Sequence, residues 1–224
     1  MQAFRKTALV IALGLLATGA IAGEIRNTSV NASDVQSTAS GTNSRATQNI
    51  GVAEGDGRIA ASTIVVSSAT NSAQGNAGRA TQNIGYVSGS GQIQRTMIVA
   101  SDLSNLSSSN TSEALQQIGF ATGQGQVDRL NVQATGASNS ARGPYASATQ
   151  QIGGAAGGSI DRVAVVANEV TNSALNANQA KATQQIGMAS GQGRLQNAVI
   201  VADSAYNSAS GQYANATQRI GVAN

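Results

Sequence analysis

Apolar and polar residues alternate along this chain in short segments, and the alternation returns at a constant spacing. The hexapeptide Ala-Thr-Gln-Asn-Ile-Gly begins at Ala46, and its near-copies follow every 80 − 46 = 34 residues. The copies begin at Ala46, Ala80, Ala114, Ala148, Ala182 and Ala216. In the first copy a period of two puts Ala46, Gln48 and Ile50 on one face and Thr47 and Asn49 on the other, which predicts a β-strand.

Ala46, Gln48 and Ile50, which share one face, have identical residues in every copy, so we expect this face to point into the interior. The opposite face varies, for example from Asn83 to Gln117, and we expect it to be solvated. A buried glutamine needs hydrogen-bond partners, and stacked amides about 4.8 Å apart can bond to one another along a ladder. The predicted glutamine ladder is Gln48, Gln82, Gln116, Gln150, Gln184 and Gln218. The predicted isoleucine ladder is Ile50, Ile84, Ile118, Ile152, Ile186 and Ile220.

The second half of each repeat follows a glycine-rich turn such as Gly55-Asp56-Gly57. A β-branched stretch, residues 59–67, then predicts another strand, and an asparagine recurs a few residues later. The asparagines that predict a further ladder are Asn71, Asn105, Asn139, Asn172 and Asn207. In one repeat the first turn is one residue shorter than in the other repeats, and the second turn, 175–181, is one residue longer. Both changes fall in predicted turns, as expected if the coils stay in register.

A strict period indicates one structural unit that buries its apolar face against copies of itself. The prediction is an all-β fold, a β-solenoid of about six stacked 34-residue coils, cross-β-like, with Gln/Asn and Ile/Val ladders. The number of strands per coil stays open between two and three. Tetratricopeptide helices share this period, but their aromatic landmarks are missing here and the apolar residues are β-branched.

The N-terminal segment predicts a cleaved secretory signal peptide over residues 1–22. Arg5 and Lys6 precede the apolar run 8–16, and Ala20 and Ala22 form a small-residue cleavage site. Residues 23–224 are then one solenoid domain of an exported protein. Its predicted parts are a half-coil 24–45, the repeats 46–79, 80–113, 114–147, 148–181 and 182–215, and a half-coil 216–224.

The two predicted half-coils have complementary phases. Ile25 and Val30 align with the second half of a repeat, whereas Ala216, Gln218 and Ile220 belong to a first half. Uncapped ends of this kind predict head-to-tail self-association, because a heterologous contact that does not close produces a filament.

Composition excludes several function classes. The chain has 13 Lys+Arg and 10 Asp+Glu; removal of Arg5 and Lys6 with the leader leaves 11 − 10 = +1, which argues against a nucleic-acid partner. There is no Cys and no His, so thiol and histidine nucleophiles and Cys/His metal sites are excluded. We therefore expect no enzyme activity, no catalytic residue, no metal, no cofactor and no membrane insertion.

Two outward columns bear on binding. The valines lie between inward positions, and they either form an exposed apolar stripe or are turned inward by a corner; they are Val65, Val99, Val166 and Val201. The threonines form a row that Leu115 interrupts; they are Thr47, Thr81, Thr149, Thr183 and Thr217. An ordered threonine row suggests the alternative function, a monomeric solenoid module that binds ice or glycans.

The chain resembles the bacterial functional amyloids, the curli and Fap-type fibre subunits. The resemblance lies in the signal peptide, in the Gln/Asn/Gly/Ala/Ser-rich repeats such as residues 49–57, and in ladder positions such as Gln48 and Asn71. Curli repeats are shorter, and the Cys-x-x-Cys of Fap-type subunits is absent. The resemblance implies a secreted subunit that polymerises into extracellular biofilm and adhesion fibres, with an outer-membrane secretion pore and a nucleator subunit as partners.

Overall fold

The computed structural model describes residues 23–191 and 193–223, and every regular element in these ranges is a β-strand. The strands stack in parallel as a β-solenoid of about six coils, which confirms the predicted fold class. The predicted signal peptide, residues 1–22, lies outside the described residues. No helix in the described ranges is long and apolar enough to cross a membrane.

Within residues 23–191 and 193–223, nineteen strands build the six coils. Coil 1 contains β1 (Glu24–Arg26), β2 (Ser29–Ser33), β3 (Gln36–Gly41) and β4 (Arg45–Ile50). Coil 2 contains β5 (Arg58–Ala60), β6 (Thr63–Gly75) and β7 (Arg79–Ile84), and coil 3 contains β8 (Gln92–Ser109) and β9 (Thr111–Ala121). Coil 4 contains β10 (Gln126–Thr135), β11 (Ser138–Arg142) and β12 (Tyr145–Ala156). Coil 5 contains β13 (Ile160–Asp161), β14 (Ala164–Asn168), β15 (Thr171–Ile186) and β16 (Ala189–Ser190), and coil 6 contains β17 (Leu195–Gln196), β18 (Val199–Asp203) and β19 (Tyr206–Ile220).

Equivalent residues of successive coils pair directly. Gln48 pairs with Gln82, and Ile50 pairs with Ile84, in the parallel register of β4 and β7. The predicted length compensation is also present: Asn139 and Asn172 are 33 residues apart, and a β-bulge between Ala174 and Ala177 restores the register. The glutamine and isoleucine columns therefore run unbroken from the first coil to the last.

Left-handed corner residues close each coil, and the sequence analysis missed two sets of them. One set has positive φ at Asn27, Ala61, Arg95, Arg129, Arg162 and Asn197. The other set is Asp34, Ser68, Asp102, Gly136, Glu169 and Ser204. The first set divides the single strand predicted over residues 59–67, because Ala61 separates β5 from β6. Most of these corner residues are not glycine, so the residue types did not indicate a positive φ at these positions.

The interior has a wide part and a narrow part. Isoleucine, valine and leucine side chains fill the wide part, together with smaller alanines, and Phe120 is the largest fully buried side chain. The buried apolar side chains of the narrow part are all alanines, among them Ala114, Ala148 and Ala182. The walls are close enough there for the short side chain of Asn139 to reach the carbonyl of Ala114 at 3.1 Å. The glutamine and asparagine ladders lie in the interior and link the facing walls.

The repeat boundary at Ala46 cuts across a coil. β1 pairs with β5 and β4 pairs with β7, so residues 24–45 share one layer with the residues that follow them. In the same way, residues 216–223 share a layer with β17 and β18. The predicted half-coils are therefore parts of two whole coils in the described chain. The period set the length of a coil but left its starting point undetermined.

Candidate functional site

The inner glutamines form a hydrogen-bonded ladder with one direction. Nε2 of Gln82 donates to Oε1 of Gln48 at 2.7 Å, and each later glutamine donates to the glutamine one coil before it. Nε2 of Gln82 also donates to the carbonyl of Ala69 on the facing wall at 3.2 Å. The four central amides of Gln82, Gln116, Gln150 and Gln184 are fully buried, and the ladder satisfies them without water.

The asparagine ladder has the opposite direction. Nδ2 of Asn71 donates to Oδ1 of Asn105 at 2.8 Å, and each asparagine up to Asn172 donates to the next coil. Nδ2 of Asn71 also lies 3.2 Å from the carbonyl of Ala46 and 2.9 Å from that of Thr81. The two ladders therefore cross-link the same walls, and their amide dipoles point in opposite senses along the solenoid axis.

An outward column, predicted as a solvated face, forms another amide ladder, which is interrupted after Asn83 because Oδ1 of Asn83 receives no donor among the described residues. Nδ2 of Asn83 donates to Oδ1 of Asn49 at 2.9 Å, and Nε2 of Gln117 donates to Oε1 of Gln151 at 2.6 Å. Asn83 and Gln117 are buried, which corrects the expectation that this face is freely solvated. The physical reason is that side chains stacked one coil apart cover one another. The neighbouring threonines also stack in register, with Leu115 between Thr81 and Thr149.

Within the described residues, the solenoid has two sheet edges without a β-partner. The head edge is the free edge of coil 1, strands β1–β4, and the tail edge is the free edge of coil 6, strands β17–β19. Of the five residues predicted as polymerisation ends, Ile25 and Val30 lie at the head edge and are half-buried against the core.

The other three predicted end residues, Ala216, Gln218 and Ile220, lie at the tail edge and are exposed. In the coil below, the inward-facing Gln184 is 0% exposed. In the last coil, the inward-facing Ile220 is 42% exposed. The inward face of the last coil therefore presents to solvent the side chains that every inner coil buries.

The valine stripe points outward, which settles the alternative left open by the sequence. Val65 and Val99 are half-buried and Val166 and Val201 are exposed, between the inward residues of β6, β8, β14 and β18. A neighbouring column adds Met97 and Val199, the latter 63% exposed. The sequence analysis missed these two residues, although their position two places before the valines already indicated the same face.

Several charged side chains lie on the outer surface and form ion pairs. Asp128 Oδ1 accepts hydrogen bonds from Nε and Nη2 of Arg162 at 3.0 and 2.7 Å, and this bond raises the pKa of Arg162. Arg79 and Glu113 form an exposed ion pair at 2.8 Å. No group of three possible metal-ligating side chains occurs among the residues that the structure describes.

A shallow cleft of about 410 Å³ lies on the outer surface of the described chain. Tyr145, Gln179, Lys181 and Tyr213 are among the residues that line it. Comparison of the chain with protein-family models, with curated proteins and with solved structures finds no match.

Proposed function

We propose that this protein is a secreted structural subunit that polymerises head-to-tail into an extracellular amyloid-like fibre of the biofilm matrix. The observation that carries the proposal is the pair of uncovered edges, which expose the same inward columns at the two ends of one repeating stack. A second copy placed on the tail edge continues the stacking that already holds neighbouring coils together. In this contact, the whole first coil of one copy stacks on the whole last coil of the other.

The stacking columns match at this contact. Extending each column by one coil puts Ile25 of the incoming copy over Leu195, Val30 over Ile200 and Ile50 over Ile220. These extended positions follow from the register of the inner coils. All three pairs join β-branched or leucine side chains of similar size, so the interior continues without a cavity or a buried charge.

Burial of these side chains supplies the driving force. Full burial of one valine, leucine or isoleucine side chain stabilises by about 1.5–3 kcal/mol, and partial burial by less. The free edges also carry unpaired backbone N–H and C=O groups that pair with the next copy as they do inside the solenoid. The contact does not close on itself, so repetition of it gives a filament.

Export and biofilm use rest on the sequence. The predicted leader supports secretion, and the resemblance to curli and Fap-type subunits supports a role in matrix scaffolding and adhesion. It also supports an outer-membrane pore and a nucleator as partners. The absence of histidine and cysteine and the lack of a deep cavity in the described chain support a structural role over catalysis.

Electron microscopy and sedimentation of residues 23–224, the chain without its predicted leader, test the proposal. The matched variants are Ile220→Asp, on the tail edge, and Thr217→Asp, on the outer face of the same strand; each adds one negative charge. We expect the unmodified chain and T217D to form fibres, and I220D to remain monomeric or to assemble at least tenfold more slowly. Circular dichroism checks that both variants keep the β-fold.

The rival function is a monomeric module that binds ice or a glycan. The in-register threonine row and the tyrosine-lined cleft are its supporting features. Unmodified protein that stays monomeric over days at high concentration would overturn the fibre proposal and favour the rival. Equal assembly of I220D and T217D would show that fibres form through another surface.

A further inference from the structure

The head and tail edges differ in hydrogen-bonding character. In every inner pair the upper glutamine donates to the lower one, so Oε1 of Gln218 has no glutamine donor among the described residues. At the other edge, Nε2 of Gln48 donates to the carbonyls of Val35 at 3.1 Å and Thr70 at 3.4 Å, and to no other group in the part of the chain that the structure describes. The tail edge thus offers an amide acceptor in the column in which the head edge offers an amide donor.

The edges also differ in charge. Glu24 stands in the column that continues through Arg58, and the register of β10, β13 and β17 brings Arg194 to this column in the last coil. One more coil in the same register puts Glu24 of the incoming copy, which also pairs with Arg26 of its own chain at 2.8 Å, next to Arg194. In the strands and corners of the two edges, the other charged residues meet neutral ones: Arg26 faces Gln196, Asp34 faces Ser204, Arg45 faces Asn215, Ser33 faces Asp203 and Asn49 faces Arg219.

Other arrangements of two copies lose the complementary donor–acceptor and charge contacts. Two head edges together oppose the donors of two Gln48 side chains, and two tail edges oppose the acceptors of two Gln218 side chains. A slip by one residue exchanges the inward and outward faces. A slip by two residues puts Arg26 of the incoming copy on Arg194 in one direction, which opposes like charges.

We propose that the subunit junction selects its orientation and register through two contacts to a second copy of this chain. Nε2 of Gln48 in the incoming copy donates to Oε1 of Gln218, and the Glu24 carboxylate pairs with the Arg194 guanidinium. The partner is therefore the head edge of an identical chain, in parallel strand order. This inference rests on the proposed fibre function, and it adds which atoms decide how copies join.

Charge exchange tests the ion pair. Elongation from preformed fibre seeds is followed by light scattering and microscopy at 20 mM and 500 mM NaCl for the unmodified chain, R194E, E24R and Q196E. We expect R194E to elongate about three- to tenfold more slowly at low salt, and less so at high salt, because two carboxylates then face each other. Q196E is the matched control in the same strand; its new carboxylate faces Arg26, so it should not slow elongation.

A mixture of the R194E and E24R variants gives the decisive test of the ion pair. R194E and E24R each oppose like charges with themselves, whereas each presents an opposite charge to the other. An equimolar mixture is therefore expected to elongate faster than either variant alone. A mixture no faster than its components, or R194E elongating like the unmodified chain, would overturn the junction proposal. The fibre proposal would survive both results, but failure of the unmodified chain to polymerise would overturn the two together.

Orientation has a separate readout. I220D keeps its head edge, so it can add to a tail end and then block it, while head ends continue to grow with unmodified chain. Two-colour fluorescence of seeds grown with a tenth of I220D is expected to show growth from one end only. Equal blocking of both ends, or of neither, would contradict the polar junction.

Discussion

Asn71 and Ser37 occupy the same inward column in adjacent coils, and the pair breaks the asparagine ladder. Oδ1 of Asn71 is buried and receives no donor among the described residues, because Ser37 stands where every later coil has an asparagine. Higher in the stack, the equivalent Oδ1 of Asn105 accepts from Asn71 at 2.8 Å. The first coil is therefore joined to the second by one hydrogen bond fewer than the inner coils.

Ser37→Asn is expected to stabilise the solenoid. The new amide would donate to Oδ1 of Asn71, and satisfying a buried acceptor is worth about 1–3 kcal/mol, less the cost of ordering a longer side chain. Urea unfolding of the monomer at low concentration measures the change. Ser40→Asn, an outward substitution of the same chemistry in β3, should leave the midpoint unchanged. An S37N midpoint at or below that of S40N would contradict the prediction.

The inner ladder should contribute more to stability than the outer one. Gln116→Leu leaves the Gln82 acceptor without its donor and removes the acceptor of Gln150 from a fully buried row. We expect a loss of about 2–4 kcal/mol, because each orphaned buried group costs about 1–3 kcal/mol. Gln117→Leu, its neighbour on the outer face, should cost less than about 1 kcal/mol. Denaturant midpoints compare them, and equal losses would refute the distinction.

Two glycines with similar backbone angles should differ in their tolerance of alanine. A Cβ at Gly51, φ 61°, would lie 2.6 Å from Cδ1 of Ile64, whereas a Cβ at Gly55, φ 73°, meets nothing within 4 Å. Both variants bear the left-handed strain of about 1 kcal/mol, but Gly51→Ala adds a clash inside the core. Thermal unfolding should show a distinctly larger decrease in melting temperature for G51A. A larger decrease for G55A would count against this packing.

The outward valines of the last two coils, Val166, Val199 and Val201, are expected to promote lateral contact between fibres, because they form an exposed apolar patch on one flank. Val166→Lys with Val201→Lys should give thinner, more separated fibres in negative-stain images. The control is Thr149→Lys with Thr183→Lys, which adds the same charge to the threonine row. Similar thinning by both pairs would point to net charge alone, not to the valine flank.

Much of the candidate site followed from the sequence because stacked identical residues leave a strict period. The invariance of Gln116 and Ile118 against the variation of Asn83 and Gln117 separated inward from outward positions before any coordinates. The outer ladder was not predicted, because the burial of an outward amide depends on the side chains that stack on it one coil away. The corners at Ala61 and Arg129 were not predicted either, because residues other than glycine entered the left-handed region there.

The sequence by itself determined the solenoid, the 34-residue period and the inward Gln, Asn and Ile columns, because each depends only on repetition and on the alternation of side chains along a strand. Only the tertiary structure decided where each coil starts and closes, and that the glutamine and asparagine ladders point in opposite directions. Those properties depend on how the walls face each other across the interior, and a one-dimensional period does not contain that distance or direction.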